Sequence, residues 1–209
     1  MAVTKKRRTQ AERTEASDKA MFKAAITLIA KDGPSKMTLA GVGKKAGFSG
    51  GLVSYRFGSK SNLLKATTDR ILELWNSRVV GPALSEKQDD DATSHIKTVA
   101  RLYLDAVAAK SDLIMAQFRL MNDSYSSYQE LQPTFQKYDQ GLRSELTQHL
   151  QELQAKGNLR ADTDVESIVI CLIGTLRGVA IQYFIDSDSV DLDAVYKTLE
   201  DLTDKLLAG

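Results

Sequence analysis

Apolar residues recur along most of the chain at three- and four-residue spacing, which is the periodicity of amphipathic helices and not of strands. The first such segment follows a capping-box pattern, Thr9 with Glu12 three residues later, and ends at Asp32-Gly33. Prolines occur at three positions in 209 residues, so long helices are tolerated. The pattern predicts an all-α protein.

Cap signals then divide the chain into about nine helices. Thr38, Ser49 and Ser59 are placed to cap a second, third and fourth helix, and Gly47 supplies the left-handed residue that ends the second. The fourth helix is expected to reach about residue 80, where Gly81-Pro82 stops it. After an acidic, unpatterned stretch, five more helices are expected at about 93–109, 111–126, 128–156, 163–186 and 191–207.

The second and third helices have the spacing of a helix-turn-helix unit. They are joined by Gly47-Phe48-Ser49, and a steep crossing over so short a turn needs a small residue where the backbones meet, which Gly43 supplies. Apolar residues on both sides of the turn can lock the two helices together: Val42, Ala46, Phe48 and Val53.

Charge is distributed unevenly between the two parts of the chain. Residues 1–65 carry 14 of the 28 Lys+Arg residues and 4 of the 27 Asp+Glu residues, so this part has net charge +10 and the rest −9. A basic module on an acidic body favours a polyanionic partner for the first part. A solvated basic surface is the alternative that charge alone leaves open.

Composition limits the kinds of cofactor and the cellular location to be expected. The single Cys171 cannot form an intramolecular disulfide, and the chain shows no Cys/His grouping with metal-ligand spacing, so we expect no metal, no redox cofactor and a cytoplasmic location. Cys171 itself is expected to be a small buried hydrophobe. The basic amino terminus lacks the apolar core of a secretory signal, and the apolar run 167–176 is too short to predict a membrane span.

The residues from Thr38 to Leu64 follow the pattern T-L-x-x-V-x-x-x-A-G-F-S-x-G-x-x-x-x-x-F-x-x-K-x-x-L-L. This pattern resembles the signature of the tetracycline-repressor (TetR) family of bacterial transcriptional regulators. The resemblance is close over residues 9–75 and looser near the carboxyl end. It implies a three-helix DNA-binding domain with a basic arm at 1–58 and a helical effector-binding and dimerisation domain at 59–209.

Candidate DNA contacts follow from the helix-turn-helix unit. Thr38 begins a helix whose N-terminus favours a phosphate, although it could serve as an N-cap alone. The positions at which family members contact phosphates are matched here by Tyr55, Arg56 and Lys60. Lys44 is as consistent with a solvated surface side chain as with a DNA contact. The expected groove-facing residues include Gly50, Gly51, Leu52 and Ser54.

The expected reading surface lacks long hydrogen-bonding side chains, so bidentate base contacts are not predicted from it. Ser54 can make one hydrogen bond, Leu52 can touch a thymine methyl, and the glycines let the backbone approach the bases. The basic arm Lys5-Lys6-Arg7-Arg8 is expected either to read the width of a minor groove or to add only nonspecific attraction.

Two further sets of residues are predicted in the second domain, whose implied functions are effector binding and dimerisation with a symmetry-related copy. An intrasubunit core is the alternative for each set, and for the dimer set the sequence does not separate the two. The ligand-binding set is Trp75, Met115, Phe118, Met121, Asn122, Tyr125 and Tyr138. The dimer set on the last two helices is Ile168, Leu172, Leu176, Val179, Tyr183, Val195, Leu199 and Leu202, with Gly174 and Gly178 allowing close helix approach.

The sequence therefore predicts a homodimeric, cytoplasmic regulator that binds a double-stranded DNA operator and a small-molecule effector and has no role in a membrane. An enzyme is not expected, because His95 and His149 lie far apart in sequence and no glycine-rich phosphate loop follows a strand. An architectural DNA-binding protein without an effector is the alternative. The residues do not identify the effector or the operator sequence, and they do not distinguish a repressor from an activator.

A variant lacking residues 1–8 tests the contribution of the basic arm. If the arm reads narrow A·T-rich minor grooves, footprinting of this variant will show weaker discrimination among DNA sequences. An unchanged sequence preference, with only a uniform loss of affinity, would show that the arm supplies nonspecific attraction alone.

Overall fold

A computed structural model of the protein describes residues 9–82 and 92–207, and the basic arm and most of the acidic stretch lie outside them. The described residues form nine α-helices and no strand, which confirms the predicted all-α class. The helices are α1 Gln10–Asp32, α2 Leu39–Ala46, α3 Gly50–Phe57, α4 Lys60–Trp75, α5 Ala92–Ala108, α6 Asp112–Asp123, α7 Gln132–Ala155, α8 Val165–Ile185 and α9 Leu192–Leu207.

Two shorter segments modify this pattern. Helix α4 continues beyond Trp75 as a π-helix at Asn76–Val80, and a 3₁₀ turn at Gln129–Leu131 precedes α7. Pro133 lies in the first turn of α7, where its missing N–H breaks no intrahelical hydrogen bond.

The predicted caps form. The Thr9 N–H donates to Glu12 Oε2 at 2.7 Å and the Glu12 N–H donates to Thr9 Oγ1 at 3.2 Å, so both halves of the capping box are present. The hydroxyl oxygens of Thr38 and Ser49 accept backbone N–H groups at the starts of α2 and α3, at 3.0 and 3.2 Å. Gly47 ends α2 with φ +79°, in the left-handed region that glycine adopts without strain.

The chain divides into two compact units. Unit 1 contains the described residues of Met1–Leu72 and Met115–Thr134, and unit 2 those of Glu73–Ile114 and Phe135–Gly209. Helices α4, α6 and α7 each have residues in both units. The division predicted after residue 58 concerns which residues bind DNA and which bind effector, and it stays a prediction.

In unit 1 the first three helices pack through small and apolar residues. Met21, Ala25 and Ile29 of α1 are fully buried, as are Val42 of α2 and Val53 of α3. The rings of Phe22 and Phe57 meet edge to face with centroids 5.6 Å apart, which joins α1 to the end of α3.

Gly43 is the contact point of the helix-turn-helix unit. A Cβ on Gly43 would lie 2.9 Å from both the Gly50 nitrogen and the Ser49 carbonyl carbon, closer than real Cβ contacts come. Since these atoms are backbone, they cannot rotate away. A small residue is therefore required at Gly43, in agreement with the requirement inferred from the short turn.

In unit 2 two apolar clusters hold the helices. One joins α5, α7 and α8 through the buried residues Ile96, Leu146, Leu150, Leu153, Leu159, Val165 and Val169. The other joins α5, α8 and α9 through Ala100, Leu104 and Leu176, with Leu192 and Leu199 packed against it. Ion pairs from Lys97 to Asp204 and from Arg101 to Asp193 also link α5 to α9, with closest N–O distances of 2.6 and 2.8 Å.

Helix α8 leaves a second apolar face uncovered. Ile170, Ile181 and Ile185 are 57%, 38% and 80% exposed, and a Cβ on Gly174 or Gly178 would meet nothing within 4 Å. Cys171 is also exposed, so the expectation that it would be buried is wrong for the single chain. We call the six residues Ile170, Cys171, Gly174, Gly178, Ile181 and Ile185 the outer stripe of α8.

By length and composition α8 is also apolar enough to cross a membrane, which the run 167–176 did not predict. Its most apolar 18-residue window has mean hydropathy 1.9, and 17% of that window is buried. It is the one such helix among the described residues. The covered face, with Val169, Leu176 and Ala180, packs as a core helix does.

Candidate nucleic-acid interface

The exposed residues of α3 form the candidate DNA-reading surface. Gly51, Leu52, Ser54 and Tyr55 are exposed, and the Tyr55 side chain, at 86%, is one of the most exposed large hydrophobic groups described. Val53 points the other way and is fully buried. Helix α3 therefore has one face in the core and a weakly polar face in solvent.

Thr38 and Lys44 lie on the neighbouring helix α2, and both are exposed. The Thr38 hydroxyl oxygen accepts the Gly41 N–H, so the side chain serves as an N-cap in the free protein. Its hydroxyl hydrogen remains available to a phosphate oxygen, and the α2 N-terminus adds a favourable dipole for an anion.

Gly50 is half-buried and has a packing function. A Cβ there would lie 3.0 Å from the Ala40 α-carbon and 3.3 Å from the Ala40 Cβ. Gly51 is different, because its Cβ would meet only the Ser49 hydroxyl at 3.8 Å. The two adjacent glycines therefore differ: the first lets α3 approach α2, and the second leaves the exposed face of α3 without a side chain.

Arg56 is held by an acidic side chain from α1. Its Nε donates to Asp18 Oδ1 at 2.8 Å and its Nη2 to Asp18 Oδ2 at 2.5 Å, a bidentate pair whose side chains are 39% and 27% exposed. The hydrogen bond and charge of Asp18 raise the pKa of Arg56 above its ordinary value. The guanidinium is thereby oriented beside α3, with part of its charge balanced.

Lys60 is also engaged within unit 1. Its Nζ donates to the Ser35 carbonyl oxygen at 2.7 Å and lies 5.7 Å from the centroid of the Tyr128 ring. One residue later, the Ser61 hydroxyl donates to Glu130 Oε1 at 2.8 Å. The start of α4 is therefore attached both to the segment before α2 and to the segment between α6 and α7.

The predicted ligand-binding residues fall in both units. Trp75 and Tyr138 belong to unit 2, where Trp75 is buried and Tyr138 is partly buried. The other five belong to unit 1: Phe118 and Met121 are buried, Met115 is partly buried, and Asn122 and Tyr125 are exposed. Their role in ligand binding stays a prediction.

The predicted dimer residues mostly face inward in the single chain. Leu176 is buried, Leu202 is 50% exposed, and the other six are partly buried. Ile168, Leu172, Val179 and Leu199 pack against the two apolar clusters of unit 2. The uncovered apolar surface of α8 is instead the outer stripe, of which only the two glycines were predicted as dimer contacts.

Two ion pairs between helices were not predicted from the sequence. Asp18 with Arg56 and Asp139 with Arg177 each join residues 38 positions apart, on different helices. Spacing along one helix carries no signal for such a pair, because only the packing of two helices brings the side chains together.

The comparisons with known families agree with this geometry. The description "Bacterial regulatory proteins, tetR family" matches residues 22–67, and "BetI-type transcriptional repressor, C-terminal" matches residues 92–208. The second match spans more than half of the chain. The chain belongs to the TetR family of bacterial transcriptional regulators. A search among curated proteins found no match.

Solved structures of TetR-family and other regulators share the fold. A transcriptional regulator from Saccharomonospora viridis in complex with choline is 18% identical, with TM-score 0.78 over 93% of this chain and 98% of the other. The regulator FadR from Bacillus subtilis in complex with stearoyl-CoA is 20% identical, with TM-score 0.73 over 89% and 97%. A TetR regulator from Haloarcula marismortui is 18% identical, with TM-score 0.78 over 93% and 99%.

Replacing Asp18 tests whether this carboxylate moderates the charge of Arg56 toward DNA. In Asp18→Asn the guanidinium loses its balancing charge, so affinity for random-sequence DNA should rise. The slope of log K against log salt should steepen by about one per subunit, as for one added phosphate contact. Binding measured over a salt series by fluorescence anisotropy gives both quantities.

Asp32→Asn is the matched control, since it removes one exposed carboxylate from the same helix. The two variants therefore have the same net charge. Both variants should fold, because an exposed ion pair contributes little to the free energy of unfolding. Equal salt slopes in the two variants would show that Asp18 has no electrostatic influence on DNA binding.

Proposed function

We propose that this TetR-family protein is a dimeric transcriptional repressor that a small-molecule effector releases from a palindromic operator. The observation that carries the DNA-binding part is the exposed face of α3, presented by a helix-turn-helix unit whose opposite face is fixed in the core. Within this proposal residues 1–58 bind DNA, and residues 59–209 bind the effector and dimerise.

On DNA, α3 lies in the major groove, with Gly51, Leu52 and Ser54 nearest the base edges. Tyr55 donates its hydroxyl to a phosphate, and Thr38 and Lys44 contact the backbone from α2. Arg56 and Lys60 reach phosphates through N–H groups that Asp18 and Ser35 leave free. Gly50 contributes indirectly, since it sets the distance between α2 and α3.

Dimerisation is supported by the outer stripe of α8. Three isoleucines, two glycines and a cysteine along one helix face make an apolar surface that a single chain leaves in water. The occupant that we propose is the same stripe of a second copy, since glycines with open Cβ space permit close packing of two helices. Leu202, exposed on α9, extends the surface.

Such a dimer places two α3 helices on successive major grooves, ~34–36 Å apart. An effector that prefers a conformer with a different spacing lowers operator affinity by shifting an existing equilibrium. Proteins of the same fold have been solved with choline and with stearoyl-CoA, which supports effector binding in general. Because these two ligands differ chemically, the class of effector has to be inferred from the residues of this chain.

Two other functions are less well supported. Catalysis is not proposed, since the family and fold are those of transcriptional regulators. An architectural DNA-binding protein is compatible with the weakly polar face of α3, but the match of residues 92–208 to the C-terminal part of a transcriptional repressor favours a regulator.

Footprinting on the promoter region adjacent to the protein's own gene tests the proposal. The expected result is protection of a palindrome with half-sites one helical turn apart, bound ~10³-fold or more tightly than random DNA. Similar affinity for all sequences would support the architectural alternative, and no binding at low salt would exclude α3 as a DNA-reading helix.

A further inference from the structure

A polar cluster lies in the interior of unit 2, formed by residues of four helices. Arg177 of α8 donates to Asp139 of α7 twice, from Nη1 to Oδ2 at 2.8 Å and from Nη2 to Oδ1 at 2.5 Å. The two side chains are 24% and 22% exposed, so the pair is mostly buried and still reached by solvent. Because the Asp139 carboxylate pairs with the Arg177 guanidinium through two hydrogen bonds, the pair brings no net charge into the unit.

Two tyrosines and a tryptophan complete this cluster. Tyr138 is the chain neighbour of Asp139. Tyr103 of α5 interacts electrostatically with Arg177. Burial raises the pKa of both phenols above the ordinary value, and the Arg177 charge partly opposes that rise. Trp75 at the end of α4 meets Tyr103 edge to face, with ring centroids 5.7 Å apart at 85°.

The Tyr138 hydroxyl is the incomplete part of the cluster. It is buried and has no hydrogen-bond partner among the described residues. A buried polar group without a partner destabilises a folded protein, and a bound ligand is one way in which the missing partner is supplied. The π-helix that follows Trp75 is a second irregularity beside the cluster, of a kind frequent at functional sites.

The hydrogen-bonding capacity of the cluster selects the ligand chemistry. A guanidinium has five N–H donors, of which Asp139 takes two, and Tyr138 adds a free O–H. The remaining capacity is therefore mainly that of donors, set against aromatic surfaces. A quaternary ammonium ligand has no acceptor for these donors, and a neutral alcohol would forgo the charge-assisted hydrogen bond that a carboxylate forms with a guanidinium.

We propose that the effector of this protein is an apolar carboxylic acid whose carboxylate binds Arg177 and Tyr138 and whose body packs on Trp75 and Tyr103. The inference rests on the proposed effector function and names the ligand class for it. Asp139 acts as a positioning residue, since it orients the guanidinium and leaves its other N–H groups for the ligand. Trp75 ends the helix that begins at Lys60, so the ligand contacts a helix that carries a candidate DNA contact at its other end.

Three probes with one ten-carbon chain and different head groups test the ligand class: sodium decanoate, 1-decanol and decyltrimethylammonium bromide. Calorimetric titration of the full chain without DNA, below the micellar range, should give tighter binding of decanoate than of the alcohol by ~10-fold or more. Decyltrimethylammonium should bind no better than the alcohol. Tighter binding of the cation, or no binding of decanoate, overturns the proposal.

Substitutions then locate the site. Tyr138→Phe should weaken the binding of decanoate about tenfold, because one hydrogen bond to a charged group is lost, and should leave the affinity for decanol unchanged. Its matched control is Tyr196→Phe, which removes a phenolic hydroxyl elsewhere in unit 2 and should change neither. The double variant Arg177→Met with Asp139→Leu leaves no unpaired charge and should abolish the preference for decanoate. Unchanged decanoate affinity in Tyr138→Phe, or a preference that persists in the double variant, overturns the site.

DNA release is measured separately on the footprinted operator. If decanoate binds as predicted but leaves the operator occupied, the ligand site stands and release by an effector is wrong. If other molecules release the operator while decanoate fails to bind, effector release stands and the carboxylate site is wrong.

Discussion

Helix α8 is apolar on more sides than one chain can cover, and this constraint shapes the second unit. One side of the helix is buried in the clusters with α5, α7 and α9, where Val169 and Leu176 have almost no exposed surface. Arg177 is turned toward Asp139 within the same unit. The outer stripe remains in water, and an apolar helix face of that length is most simply covered by a second copy of itself.

The same helix therefore carries three functions on three sides: core packing, the polar cluster and the proposed dimer contact. Under the proposed function, a ligand that moves Arg177 would act on the helix through which two copies pack. In a two-site DNA-binding protein, the geometry of the dimer sets the distance between the reading helices. A displacement at the cluster would then change operator affinity without any direct contact between ligand and DNA.

The helix-turn-helix unit shows how close packing limits the reading surface. Gly43 is required where α2 and α3 approach, and a side chain on Gly50 would crowd Ala40, so close helix packing favours both glycines. The exposed face of α3 then consists of Gly51, Leu52, Ser54 and Tyr55, with Arg56 held aside by Asp18. If this face reads DNA as proposed, base recognition would depend on shape, one hydroxyl and apolar contact more than on bidentate hydrogen bonds.

Local signals predicted the elements well, because caps and turn glycines act within a few residues. Thr9, Thr38, Ser49 and Gly47 have the predicted positions and partners. The Asp18 and Asp139 pairs could not be predicted, since they arise from tertiary packing. The burial of Cys171 was predicted wrongly for a related reason: periodicity identifies an apolar helix, but on a helix that is apolar all round it does not show which side faces the core.

The mass of the protein in solution tests the central claim that a second copy covers the outer stripe. Sedimentation equilibrium at micromolar concentration should give about twice the chain mass of 23.0 kDa. Ile181→Lys, which places a charge in the stripe and leaves the buried face of α8 intact, should shift the mass to that of one chain with unchanged helix content by circular dichroism. A monomeric wild-type chain, or a dimer unaffected by Ile181→Lys, would contradict the account.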